Sequence, residues 1–140
     1  MKVNEIMTPV PTVCGPDTPL EEVARTMVGR DCGSVPVVGA DGRIAGIITD
    51  RDMVVRGIAE GRNPLTLQAS ECMTSPVYTI NEDASLDDCT DLMESKKVRR
   101  LPVVSSSGAL VGIVAQADVA RCASRKEAGE LVRDVSAPGR

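Results

Sequence analysis

A gapless internal repeat constrains this chain more than any other feature. Met7-Thr8 recurs as Met73-Thr74, an offset of 66 residues, and the same offset carries Asp17 onto Asp83, Leu20 onto Leu86 and Met27 onto Met93. It then carries Pro36-Val37-Val38 onto Pro102-Val103-Val104, Gly42 onto Gly108, Gly46-Ile47 onto Gly112-Ile113 and Asp52 onto Asp118. Chance does not hold glycines, prolines and aspartates in one register over that length. The chain therefore reads as a tandem duplication, with a first motif over 1–61, a connector over 62–71, a second motif over 72–124 and a tail over 125–140.

Each half reads as strand, helix, strand, strand, helix. Thr18-Pro19-Leu20-Glu21 predicts a helix start, with Thr18 as N-cap, Pro19 in the first turn and Glu21 three residues after the cap. Leu20, Val23, Ala24, Met27 and Val28 follow at the spacing of one buried helical face. Residues 35–38 and 44–48 predict two apolar strands joined by an Asp41-Gly42 turn, and a helix is expected from Asp50 to Glu60, stopping at Gly61. The second half repeats the plan: a helix with Leu86, Cys89 and Met93 inward, strands over 101–104 and 110–115 about Ser107-Gly108, and a helix from Gln116. A short helix is expected over 127–133, and a mobile end over 136–140. A motif of ~55 residues buries too little surface alone. The expected fold is α+β, with helices and strands in layers. Two β-α-β-β-α repeats pack with pseudo-twofold symmetry about a shared cleft.

Composition narrows the chemistry. There is no Phe, no Trp and a single Tyr, Tyr78, so the core must be aliphatic and a flat ligand would be sandwiched by aliphatic side chains. The net charge of −4 argues against nucleic acid, which needs a basic face, and gives no reason to expect a membrane surface. No apolar run reaches the ~20 residues of a membrane span, and the opening MKVNEIMTP lacks the apolar stretch of a signal peptide. The chain reads as cytoplasmic. Five scattered cysteines without C-x-x-C spacing read as reduced, mostly packed thiols. With no histidine, and no nucleophile elbow, P-loop or zinc spacing, neither catalysis nor a metal site is expected.

The most informative stretch is Gly46-Ile47-Ile48-Thr49-Asp50-Arg51-Asp52, where a strand ends and a helix begins at once. A helix N-terminus with unpaired N–H groups attracts anions. Thr49 adds a hydroxyl that can face a phosphate, and the two oxygens of Asp52 can accept both hydroxyls of a ribose. Phosphate plus diol describes a nucleotide. Thr-x-x-Asp is equally the pattern of a helix capping box. The nucleotide reading gains on it because the motif recurs in register.

This pattern, behind a Pro-Val-Val strand, headed by Met-Thr-Pro and present twice, resembles the CBS (cystathionine β-synthase-type) motif pair, also called a Bateman module. The resemblance spans roughly residues 3–123. It implies a non-enzymatic regulatory module that binds AMP, ADP, ATP or a related adenosyl ligand such as S-adenosylmethionine in the inter-repeat cleft. It further implies a homodimer that controls a protein partner. Carried over, Asp52 would hold the ribose and Thr49 the phosphate, with Arg51 as a further charge. Val13 and Val35 would line the adenine pocket, and Arg99 and Arg100 of the opposite repeat would offer phosphate-binding forks. A solvated turn explains that arginine pair equally well.

The second repeat departs from the pattern. Ala115 stands where a Thr or Ser is expected, leaving Asp118 without a hydroxyl beside it. A lost charge-assisted contact is worth roughly 1.5–3 kcal/mol, or about one to two decades of affinity. One good nucleotide site is therefore expected, at Thr49 and Asp52, with Asp118 marking a weaker second one; Tyr78 could flank it, but its expected role is a half-buried strand tyrosine. Two other readings remain: a ligand-free dimerisation and protein-interaction module, and a redox sensor using a thiol such as Cys32.

Overall fold

A computed structural model describes residues 1–9 and 12–138 and divides the chain into two compact units. One is contiguous, Pro11–Val77; the other joins Met1–Val10 to Tyr78–Arg140. The folded bodies are thus cut at different places from the sequence repeats.

In the contiguous unit, α1 (Leu20–Arg30) packs on an antiparallel pair, β2 (Ser34–Val38) and β3 (Ile44–Thr49), and α2 (Asp50–Arg56) follows directly. The turn between the strands places Gly42 at φ +81°, where a side chain is strained. Among its described residues, the segment expected as a first strand contributes one parallel bridge, Cys14 to Val37. Residues 62–71 are more than a connector. They form α3 (Ala69–Cys72), and Leu67, Ala69 and Cys72 join Leu20, Val23, Met27, Val35, Val37 and Ile48 in one aliphatic core.

Three local expectations need correction. Helix α1 is capped by Pro19, and the Thr18 hydroxyl instead accepts the Gly15 N–H at 2.9 Å. The cause is long-range. The Thr18 carbonyl takes the Ala69 N–H and the Leu67 carbonyl takes the Leu20 N–H, which holds residues 18–20 extended against 67–69. Val28, placed on the buried stripe by spacing, is exposed at the edge of the helix. Helix α2 ends at Arg56 rather than running on to Glu60, because Gly57 leaves the helical conformation (φ −106°, ψ −81°) and a 3-10 turn takes Ile58–Glu60.

The discontinuous unit carries a four-stranded sheet in the order β1 (Thr8–Pro9), β6 (Leu110–Ala115), β5 (Arg100–Val104), β4 (Ile80–Asn81). Only the β4–β5 pair is parallel. Helices α4 (Leu86–Lys96), α5 (Gln116–Cys122) and α6 (Arg125–Ser136) complete it. The core again has no ring: Val3, Ile80, Cys89, Met93, Leu101, Val103, Val114, Val119, Leu131 and Val135. The tail is more ordered than expected. Helix α6 starts at a Ser124 cap and buries Leu131 and Val135, so Ser136 is helical, while Gly139 and Arg140 lie outside the described residues. Tyr78 is exposed and outside any strand, with the Lys96 ammonium 5.2 Å from its ring centre.

The two Met-Thr lead-in segments are exchanged between the repeats. Thr8 of the first repeat pairs with Ile113 of the second, and Thr74 of the second pairs with Ile47 of the first through N–H to O bonds of 3.0 and 2.8 Å. The glycines recurring at 46 and 112 make room for this. A Cβ at Gly46 would stand 2.6 Å from Met73 Sδ and 2.7 Å from the Thr74 carbonyl. At Gly112 it would stand 2.5 Å from Met7 Sδ and 2.9 Å from the Thr8 carbonyl.

Candidate functional site

The β3–α2 junction forms because Thr49 leaves the strand extended (φ −116°, ψ 163°) and its hydroxyl turns onto the first helical turn. The Asp52 N–H donates to Thr49 Oγ1 at 3.0 Å, and the Thr49 N–H donates to Asp52 Oδ2 at 3.0 Å. The capping box is therefore made in full. Neighbouring donors are also engaged: the Asp50 N–H reaches the Gly33 carbonyl at 3.1 Å, and the Arg51 N–H reaches Asp50 Oδ1 at 2.8 Å. With these N–H groups taken, and with α2 only seven residues long, the expected open anion-binding helix end is not what the junction offers. What it offers is in the side chains. Thr49 keeps its hydroxyl proton to donate, and Asp52 Oδ1 has no hydrogen bond among the described residues. Arg51 is exposed in a shallow recess with Asp50, Val54 and Val55.

The other expected residues fall in different places. Val13 is 46% exposed, in a separate recess with Cys14, Gly15, Thr18, Glu22, Thr26 and Val38 that includes neither Thr49 nor Asp52. Val35 is 0% exposed within the aliphatic core, so its side chain cannot line a ligand pocket as expected; a strand residue facing the helix layer is buried on that side. Arg99 and Arg100 are exposed on the other compact unit, at the start of β5. There the Arg99 carbonyl accepts the Gln116 N–H at 2.7 Å and Arg100 lies opposite Ala115 in the ladder. They flank the junction of their own unit.

That second junction, β6–α5, is built differently. The Ala115 N–H donates to Asp118 Oδ2 at 2.8 Å, but Ala115 has no hydroxyl to return the bond. Asp118 Oδ1 accepts from the Arg121 guanidinium. Gln116 stands where the first repeat has Asp50, and its side-chain oxygen is buried without a hydrogen-bond partner. An unsatisfied buried acceptor costs about 1–3 kcal/mol. Sequence reasoning anticipated the missing hydroxyl and overlooked Arg121. The signal was present: the helix arginine lies four residues past the aspartate in the first repeat (Asp52, Arg56) and three past it in the second (Asp118, Arg121).

The sequence model of the CBS domain matches residues 3–57 and 69–125. The chain belongs to the CBS domain family. Its two CBS motifs resemble those of hypoxic response protein 1 of Mycobacterium tuberculosis, 36% identical over 135 residues, 96% of this chain and 94% of that protein. Among solved structures, that of hypoxic response protein I with two coordinated zinc ions matches with a TM-score of 0.80 and 37% identity, over 89% of this chain and 100% of the other. The CBS pair of protein MJ0100, in complex with 5′-methylthioadenosine and S-adenosyl-L-methionine, matches at 0.77 and 26% identity, over 87% and 94%. CBSX2 in complex with AMP matches at 0.74 and 26% identity, over 86% and 94%. The zinc ions belong to that first structure and are not carried over to this CBS chain. It has no histidine, and no three cysteines or carboxylates come together as a metal ion requires among the described residues. No helix among the described residues is long and apolar enough to cross a membrane.

The thiols bear on the redox reading. Burial pushes Cys14 up from the ordinary 9.0 to about 11, helped by the Glu22 carboxylate, and it pushes Cys89 to about 11, helped by Asp118. Burial also raises Cys72. A raised thiol pKa leaves little nucleophilic thiolate at neutral pH. Cys122 is the exposed thiol, whereas Cys32 is half-buried. Iodoacetamide at neutral pH is expected to label Cys122 first and Cys14, Cys72 and Cys89 last, read by peptide mass spectrometry. Early labelling of Cys14 or Cys89 would contradict their burial. Because the unfolded thiols ionise near 9.0 and the folded ones near 11, stability should fall as pH rises above 9.0 through that window.

Proposed function

We propose that this chain is a regulatory module that binds an adenosyl ligand, AMP, ADP, ATP or S-adenosylmethionine, at the Thr49–Asp52 junction. In this reading Asp52 Oδ1 accepts from the ribose hydroxyls, Thr49 donates to a phosphate or equivalent polar group, and Arg51 contributes charge. Val13 would meet the base and Val35 would act only through its backbone, while Arg99 and Arg100 would offer their forks to a phosphate beside the junction of their own unit. Asp118 marks the weaker second site. Binding would bias a homodimer that a protein partner reads, with no catalytic step by the chain itself.

The observation that carries the reading is a carboxylate oxygen and a hydroxyl proton left without partners side by side, within a capping box that already holds them rigid. Related CBS pairs crystallised with AMP and with S-adenosyl-L-methionine supply the ligand class. The test is a thermal shift with AMP, ATP and S-adenosylmethionine. A ligand at 100 times its dissociation constant adds about 2.7 kcal/mol, which is an upward shift of several degrees at this size. No shift with any of the three at millimolar concentration would sink the proposal.

A second reading has its own support. The completed capping box needs no ligand, and Val54, Val55 and Ile58 leave an apolar face exposed beyond it. A ligand-free interaction module would show self-association or partner binding unchanged by any nucleotide.

A further inference from the structure

Both repeats place an aspartate at the third position of the helix that follows the last strand, yet the two carboxylates are left in different states. Asp52 gives Oδ2 to the Thr49 N–H and keeps Oδ1 without a partner among the described residues. Asp118 gives Oδ2 to the Ala115 N–H and Oδ1 to Arg121, one turn further along the same helix face. The Asp118 side chain is 15% exposed and that of Arg121 70%, so the guanidinium lies over the carboxylate from the solvent side.

An arginine of the same helix is engaged differently in the two repeats. Val55 occupies the position in α2 that Arg121 occupies in α5, and Arg56 follows one residue later. Four residues past Asp52, Arg56 lies on the aspartate's side of the helix, as Arg121 does three past Asp118. It donates instead to the main-chain carbonyls of Cys72 and Met73, at 3.3 and 2.6 Å. The same residue type serves as a backbone clamp in one repeat and covers the carboxylate in the other.

We propose that Arg121 is an internal plug. It fills the acceptor that a ribose diol would need on Asp118 and keeps the second repeat closed to adenosyl ligands. Each carboxylate oxygen has a second lone pair, but the charged Arg121 fork already holds Oδ1 of a mostly buried Asp118, so a diol has to displace that fork to reach it. The missing hydroxyl at Ala115 weakens the second junction further, but the plug acts on the one carboxylate that this junction retains.

The inference rests on the nucleotide reading of the first repeat, and the experiment separates the two. AMP is titrated calorimetrically into the full chain carrying Ala115→Thr alone and carrying Ala115→Thr with Arg121→Val. The double variant is expected to bind one more AMP per chain than the single variant. Arg121→Gln in place of valine is expected to give the same gain, which guards against a local folding defect; Arg121 is exposed, and both variants should melt with the parent. An unchanged stoichiometry overturns the plug, as does a second AMP already bound by Ala115→Thr alone. Weaker binding in the double variant would make Arg121 a phosphate ligand, and overturns the plug too. If the unmodified chain binds no AMP, the first-site reading fails. The difference between the variants still decides on the plug: one added AMP upholds it and none overturns it.

Discussion

Gly46→Ala is expected to cost about 3–5 kcal/mol of stability. The new Cβ would stand 2.6 Å from Met73 Sδ and 2.7 Å from the Thr74 carbonyl. The methionine tail can swing aside. The carbonyl cannot, because Thr74 is bonded to Ile47 on both sides of the pair. Overpacking of this kind costs about 1–3 kcal/mol, and parting the pair forfeits two backbone hydrogen bonds worth about 0.5–1.5 kcal/mol each. Gly112→Ala should behave alike through Met7 and Thr8. Gly29→Ala is the control. It lies in α1 with no atom within 4 Å of a new Cβ, and should stabilise by about 0.8–1 kcal/mol through helix propensity. Denaturant unfolding measures all three. If Gly46→Ala unfolds within 1 kcal/mol of the parent, the close approach of the lead-in segment is not structural.

Asp52→Asn should separate capping from binding. Asparagine keeps one acceptor, enough to take the Thr49 N–H and hold the junction, so unfolding should move by less than about 1 kcal/mol. Its other terminal atom is an amide nitrogen that only donates. A ribose hydroxyl arriving there meets a donor where it needs an acceptor. Loss of a charge-assisted bond of about 1.5–3 kcal/mol corresponds to roughly one to two decades in Kd for AMP. Calorimetric titration beside a denaturation curve reads both effects from one preparation. Unchanged affinity in a stable Asp52→Asn protein would reduce the aspartate to a helix cap.

These two positions also mark how far the sequence carries the structure. The offset that aligns Asp52 with Asp118 was enough for the duplicated plan, the paired strands, the turn glycines and the capping box. Each of these is a local pattern of a few residues, repeated. The exchange of lead-in segments is not local: Thr8 meets Ile113, and no periodicity near either residue announces it. Its trace was a glycine inside an apolar strand, twice, at the places where another backbone passes close. The Pro19 cap and the docking of residues 62–71 escaped for the same reason, since both depend on the pairing of 18–20 with 67–69. At the β3–α2 junction, the reciprocal Thr49–Asp52 capping bonds were legible from the local pattern. The burial of Val35 and the reach of Arg121 were not, because sequence gives a strand's period but not which side is covered, and a helix arginine's neighbours but not its choice among them.

The exchange of lead-in segments also orders events during synthesis. The ribosome delivers Pro11–Val77 as one uninterrupted stretch, so that unit can close while the rest of the chain is still being made. Thr8 and Pro9, by contrast, have to wait for the strand at Gly112 and Ile113 before their edge is paired. Thr8 and Pro9 are therefore made before, and seated after, the unit that follows them.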